Sequence, residues 1–150
     1  MVLADIGMTD DLLESLALPF PAEVEFLLSA MEAGPRPDVE RQQQKRSRYR
    51  ARAALRLFSD QPGAMPAILF TRTVNTQAVG FVTARRLTLS HGGLLRMPDP
   101  GSDRIMEAYC TVLRCREAAS GWYEGAVYFN REQRRFAREE MQRLGFDEVH

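Results

Sequence analysis

The stretch Arg50-Ala51-Arg52-Ala53-Ala54-Leu55-Arg56-Leu57 is where the chain changes period. Ala51, Ala53, Leu55 and Leu57 alternate with Arg50, Arg52, Ala54 and Arg56, the pattern of a half-buried strand with its arginines facing out. Five further apolar or alternating runs follow, at 67–74, 78–89, 93–97, 105–116 and 122–129. Turn chemistry separates them: DQPG at 60–63, Asn75, HGG at 91–93, PDPGSD at 98–103 and ASG at 119–121. Six short strands joined by such turns predict a mainly β fold, a six-stranded antiparallel barrel.

Outward from the barrel the pattern becomes helical. Val24, Leu27, Leu28 and Met31 fall at i, i+3, i+4 and i+7, with Pro21 suited to the first helical position and Gly34-Pro35 to the stop. A shorter helix is expected before it, capped by Thr9 and carrying Leu12, Leu13 and Leu16. After the barrel, Asn130 and Gln133 imitate a capping box, Phe136, Ala137, Met141 and Leu144 give one apolar side, and Gly145 stands where a helix would end. The expected organisation is an acidic helical extension at 1–37, an arginine-rich arm at 38–50, the barrel at 51–130 and a helix at 131–150. The polar stretch 38–49 fits an exposed helix or an extended arm, and pattern alone does not choose.

With 150 residues, 45% hydrophobic and 27% charged, the chain has the composition of an ordinary globular domain and needs no disulfide or metal to hold a core. Cys110 and Cys115 are five apart in an expected strand, which predicts opposite faces and no bond between them. With no CxxC, and only His91 and His150 as histidines, a structural zinc site lacks ligands. No apolar run approaches the ~20 residues of a membrane-spanning helix, and no basic segment precedes an apolar one at the N-terminus. The expected location is the cytoplasm.

The net charge is zero, yet residues 1–40 hold nine acids against Arg36, while residues 41–58 hold seven bases and no acid. All but one of the twenty bases are arginine, whose planar fork suits phosphates and the edge of guanine. Two places could use that chemistry. One is Lys45-Arg46-Ser47-Arg48-Tyr49-Arg50. The other is Thr88-Leu89-Ser90-His91-Gly92-Gly93, where Arg86, Thr88 and Ser90 are expected to share one face of a long strand, opposite Leu87 and Leu89. Hydroxyls beside a double glycine offer hydrogen bonds and a closely approachable backbone.

Together these resemble the PilZ domain family, receptors for the bacterial second messenger cyclic di-GMP. That family carries an RxxxR arm just before a six-stranded barrel and a [D/N]xSxxG turn within it. Arg46-Ser47-Arg48-Tyr49-Arg50 matches the first motif, Ser90 and Gly93 match the second, and Glu124-Gly125-Ala126-Val127-Tyr128-Phe129 is similar to the closing strand. The resemblance covers roughly residues 45–130. It implies a non-enzymatic receptor or adaptor in which Arg46 and Arg50 grip guanine edges and phosphates, and Ser90 and Gly93 contact the ligand from the barrel. Arg48, Arg86 and Thr88 would contribute around them, and the arm would order on binding. Thr88 departs from the motif: its hydroxyl cannot accept two donors as a carboxylate does. Losing one charge-assisted hydrogen bond costs about 1.5–3 kcal/mol.

No cofactor is implied, and no P-loop, GxGxxG or nucleophile motif points to catalysis. The first alternative is a PilZ-like module that binds no nucleotide and acts on a protein partner, or as a homo-oligomer, through its apolar helix faces. Nonspecific nucleic-acid binding through residues 41–56 is the least favoured, given the neutral chain and the acidic block beside the arm. That juxtaposition also predicts that the acidic helices cover the arm until a ligand competes them away.

Overall fold

The computed structural model describes residues 16–33 and 45–149. In chain order these form α1 (Ala22–Ala33), β1 (Arg46–Arg48), β2 (Arg52–Leu57), β3 (Ala67–Val74), β4 (Ala78–Thr83), β5 (Gly92–Pro98), β6 (Ile105–Ala119), β7 (Trp122–Phe129), a 3-10 turn (Arg134–Phe136), α2 (Arg138–Arg143) and β8 (Glu148–Val149). The helix expected at Thr9, the Gly34-Pro35 stop and the first part of the arm lie outside the described residues.

β2 is the seam of the sheet. It pairs antiparallel with β5 through Ala54↔Arg96 to Leu57↔Gly93, and with β3 through Arg52↔Phe70 to Leu55↔Ala67. The order β2-β5-β6-β7-β4-β3 therefore returns to β2 and closes a six-stranded antiparallel barrel, as the strand spacing predicts. Its interior holds Leu55, Leu69, Val79, Phe81, Leu95, Met97 and Val127, all fully buried. Phe136 and Met141, from the C-terminal turn and α2, join this core, and Phe136 stacks on Phe129 at 5.7 Å.

α1 lies on the outside. Val24 and Leu28 are buried against Phe70 of β3 and Val82 of β4, with Leu27, Met31, Phe20 and Trp122 around them. The apolar stripe of this helix is thus spent on its own barrel. Pro21 sits one place before the helix, its carbonyl accepting from the Val24 and Glu25 amides.

Several expectations are corrected. The strand expected over 78–89 stops at Thr83. Residues 84–90 leave the sheet, so alternation no longer applies: Leu87 is buried in the core while Leu89 is exposed. The two cysteines do not face opposite ways. A bulge between Val112 and Arg114 inserts Leu113 and shifts the alternation by one, so both Cys110 and Cys115 meet the core, as free thiols. The C-terminal segment is a 3-10 turn followed by a six-residue helix, not one helix from 131. Ala137 occupies the N-cap with no side-chain bond, and Asn130 accepts instead from the Thr111 hydroxyl. The expected end holds: Gly145 has φ +94°, its amide donates to Gln142 and that of Phe146 to Met141, a Schellman motif.

Candidate functional site: an arginine face on the barrel

The second half of the arginine arm is part of the sheet. β1 pairs with β3 through Ser47↔Val74 and Arg48↔Thr73, and on its other edge with β8 through Arg46↔Val149 and Ser47↔Glu148. Ser47 is buried, which leaves Arg46 and Arg48 on the opposite side of this short strand. Sequence pattern missed β1 because its single inward position is a serine.

Tyr49 then turns into the barrel end. Its ring meets Phe136 and Phe146, and its hydroxyl donates to the Pro98 carbonyl at 2.6 Å. Burial raises its pKa well above the ordinary phenol value, and the charge of Asp99 adds to this. The buried hydroxyl of Thr71 fixes the next two peptides, accepting from the Ala51 amide at 2.9 Å and donating to the Tyr49 carbonyl. With residues 49 and 51 held inward, Arg50 projects outward between them.

Around this arm the barrel gathers arginines that no motif singles out. On β7, Gly125 faces the ring of Phe81 inside the barrel, which turns Glu124 outward. Glu124 is nonetheless only 5% exposed, because arginines cover it. Arg114 approaches with both Nε, at 3.2 Å, and Nη2, while Arg116 Nε lies at 3.0 Å and Arg72 Nη1 at 3.6 Å. Burial raises the Glu124 pKa, but the Arg114 hydrogen bond and charge, with Arg116, overcome that and hold it below 4.5. Arg46 completes the group from β1, with Nη1 3.9 Å from the point where a side chain at Gly80 would begin. Burial lowers its pKa, the charges of Arg114 and Arg72 lower it further, and Glu124 opposes them. No ion pair to Arg46 is found among the described residues. Three guanidiniums thus share the Glu124 carboxylate with Arg46 beside them, a positive concentration on the face formed by β6, β7, β4, β3 and β1.

A hint of this lay in the sequence. Glu124 is the lone acid of an otherwise apolar strand, and the hairpin turn at Ser120-Gly121 places it opposite Arg116. Arg72 and Arg114 carried no signal, since their convergence depends on strands far apart in sequence.

The other two arginines of the arm meet α1. Arg50 donates to Glu25 Oε1 and Glu32 Oε2, each at 2.8 Å, and Arg48 Nε lies 3.4 Å from the same Glu32 oxygen. Partial burial raises the Glu32 pKa, but the Arg50 hydrogen bond and the charges of Arg50, Arg48 and Arg72 hold it below 4.5. Beside Arg50 a cavity of about 350 Å³ opens, lined among others by Phe20, Glu25, Tyr49, Arg50 and Arg52.

The hydroxyl turn lies elsewhere on the barrel. Arg86, Thr88 and Ser90 are exposed, in the connection between β4 and β5 rather than in a strand. Ser90 has φ +69°; its amide donates to the Val112 carbonyl, and the His91 carbonyl accepts from the Val112 amide. His91 Nδ1 is 2.8 Å from Ser59 Oγ. No hydrogen bond or ion pair joins this turn to Arg46, Arg48 or Arg50 among the described residues. What the two places share is β6: Ser90 is tied to Val112, and Arg114 lies two residues further on. Gly93 has a packing reason to be glycine, because a Cβ there would stand 2.4 Å from the Arg56 carbonyl oxygen of β2.

Comparison with protein-family models, with curated proteins and with solved structures finds no match to this chain.

Proposed function

We propose that the chain is a cytoplasmic, non-enzymatic receptor for cyclic di-GMP, of PilZ type, which takes the dinucleotide on its arginine face. The observation that carries this reading is Arg46, half-buried beside Arg72 and Arg114, with Glu124 the one carboxylate that pairs with those arginines among the described residues. A dinucleotide diester brings two negative charges to such a concentration of positive charge. It also brings guanine O6 and N7 acceptors, to which an arginine fork donates in pairs. Arg46 and Arg50 would provide the main grip, with Arg48 beside them. Arg114 leads along β6 towards Ser90, Gly93, Thr88 and Arg86, which would meet the far side of the ligand. Arg46–Arg48 already lie in the sheet and Tyr49 is anchored in the barrel end, so a signal that works by ordering the arm would involve the segment before them.

A second reading is favoured by Thr88 and by the glutamates on Arg50: a module of the same fold that binds no nucleotide and acts on a protein partner. Calorimetric titration with cyclic di-GMP, with GMP and GTP as controls, separates the two. The receptor reading expects selective binding that is lost in Arg46→Ala and Arg50→Ala. Silence in the parent with binding by Thr88→Asp would identify a degenerate site. Silence in both would leave the interaction module.

A further inference from the structure

We propose that α1 is an internal competitor for the anion site, with Glu25 and Glu32 holding the guanidinium fork of Arg50 that a ligand must take, and Glu32 also reaching Nε of Arg48. This inference rests on the receptor reading above and adds its regulation. The two glutamates are seven residues apart, two turns of helix, and so present carboxylates on one side of α1. Each terminal nitrogen of Arg50 already spends one of its N–H donors on a carboxylate, Nη1 on Glu25 and Nη2 on Glu32, so a guanine edge or a phosphate must compete with both for this fork. The same Glu32 oxygen reaches Arg48. In chemical terms the carboxylates stand where ligand oxygens would.

The helix is placed to yield. Its glutamate side chains are 53% and 37% exposed, which leaves these ion pairs open to water and to competition by a multiply charged anion. Of the described α1 side chains, Val24 and Leu28 are buried outright. Displacing α1 would uncover Phe70 and Val82, an apolar patch on β3 and β4 that is otherwise closed. Binding on the arginine face would thereby change the surface shown to a partner without altering the barrel.

A built-in reporter makes this testable. Trp122 is the sole tryptophan, and it packs at the edge of the α1 contact, edge-on to Phe70 at 6.0 Å. The experiment is calorimetric titration of the full chain with cyclic di-GMP, repeated on Glu25→Gln/Glu32→Gln and on each single variant, with Trp122 emission followed in parallel. A pair remote in sequence, Glu132→Gln/Glu139→Gln, whose carboxylates make no ion pair with the arm among the described residues, makes the same change of net charge and controls for it. The internal-competitor mechanism expects the double variant to bind about 5–30-fold more tightly, each single variant to fall between, and the remote pair to match the parent. Ligand should shift Trp122 emission in the parent. Binding by the double variant alone would support the mechanism in its strongest form. Equal affinity in parent and double variant, or an equal gain in the remote pair, would overturn it and leave the receptor reading intact. Absence of binding in every variant would remove both.

Discussion

Glu124→Gln tests the electrostatics of the arginine face directly. The substitution keeps the shape and one acceptor oxygen but removes the carboxylate charge that pairs with Arg72, Arg114 and Arg116. Breaking a fully buried ion pair from one side costs about 3–5 kcal/mol. Here the carboxylate is buried, but the Arg114, Arg116 and Arg72 side chains are 36%, 68% and 25% exposed, and water screens what remains. The expected loss is therefore smaller, about 2 kcal/mol, or roughly 4–8 °C in Tm for a domain of this size. Its pH dependence has a fixed sign. Glu124 titrates below its ordinary 4.5 in the folded chain, so the unfolded chain binds the proton first as the pH falls. The stability from this carboxylate is complete above pH 4.5 and is lost as the pH falls through the lower, folded-state value. Thermal melts from neutral pH to pH 3 should show parent and variant well separated at the top and converging at the bottom. A separation that stays constant across that range, or a variant as stable as the parent at pH 7, would refute the assigned role of Glu124.

Two further substitutions probe residues of the motifs for structural duty. Gly93→Ala drives a Cβ into the Arg56 carbonyl of a hydrogen-bonded ladder; overpacking of this kind costs about 1–3 kcal/mol, visible as a lowered denaturation midpoint whether or not ligand is present. Tyr49→Phe removes the hydroxyl that donates to Pro98 and should cost about 0.5–1.5 kcal/mol in the same measurement; an unchanged midpoint would show that this bond does not help pin the arm.

Sequence alone determined what is local. The period of two from Ala51 onward, the turn residues between runs, the i, i+3, i+4, i+7 stripe of α1 and the glycine that ends α2 all act within a few residues of themselves. Each could be read without knowing its neighbours in space. The acidic and basic blocks at 1–40 and 41–58 were also plain, and their meeting at Glu25, Glu32, Arg48 and Arg50 follows from long-range charge attraction between segments that are close along the chain. The one-residue bulge at Leu113 was not legible, because an insertion in a ladder shows only against the partner strand, and it turned Cys115 inward against the simple alternation. β1 was hidden for a related reason: it is a strand by virtue of the edges of β3 and β8, not of its own composition. The arginine face is the furthest from view. Arg46, Arg72, Arg114 and Glu124 come from four strands, and only the lateral order β6-β7-β4-β3-β1 brings them within reach of one another. Their gathering is a property of that strand order, since neither hydrophobic period nor turn chemistry records which outward side chains will become neighbours.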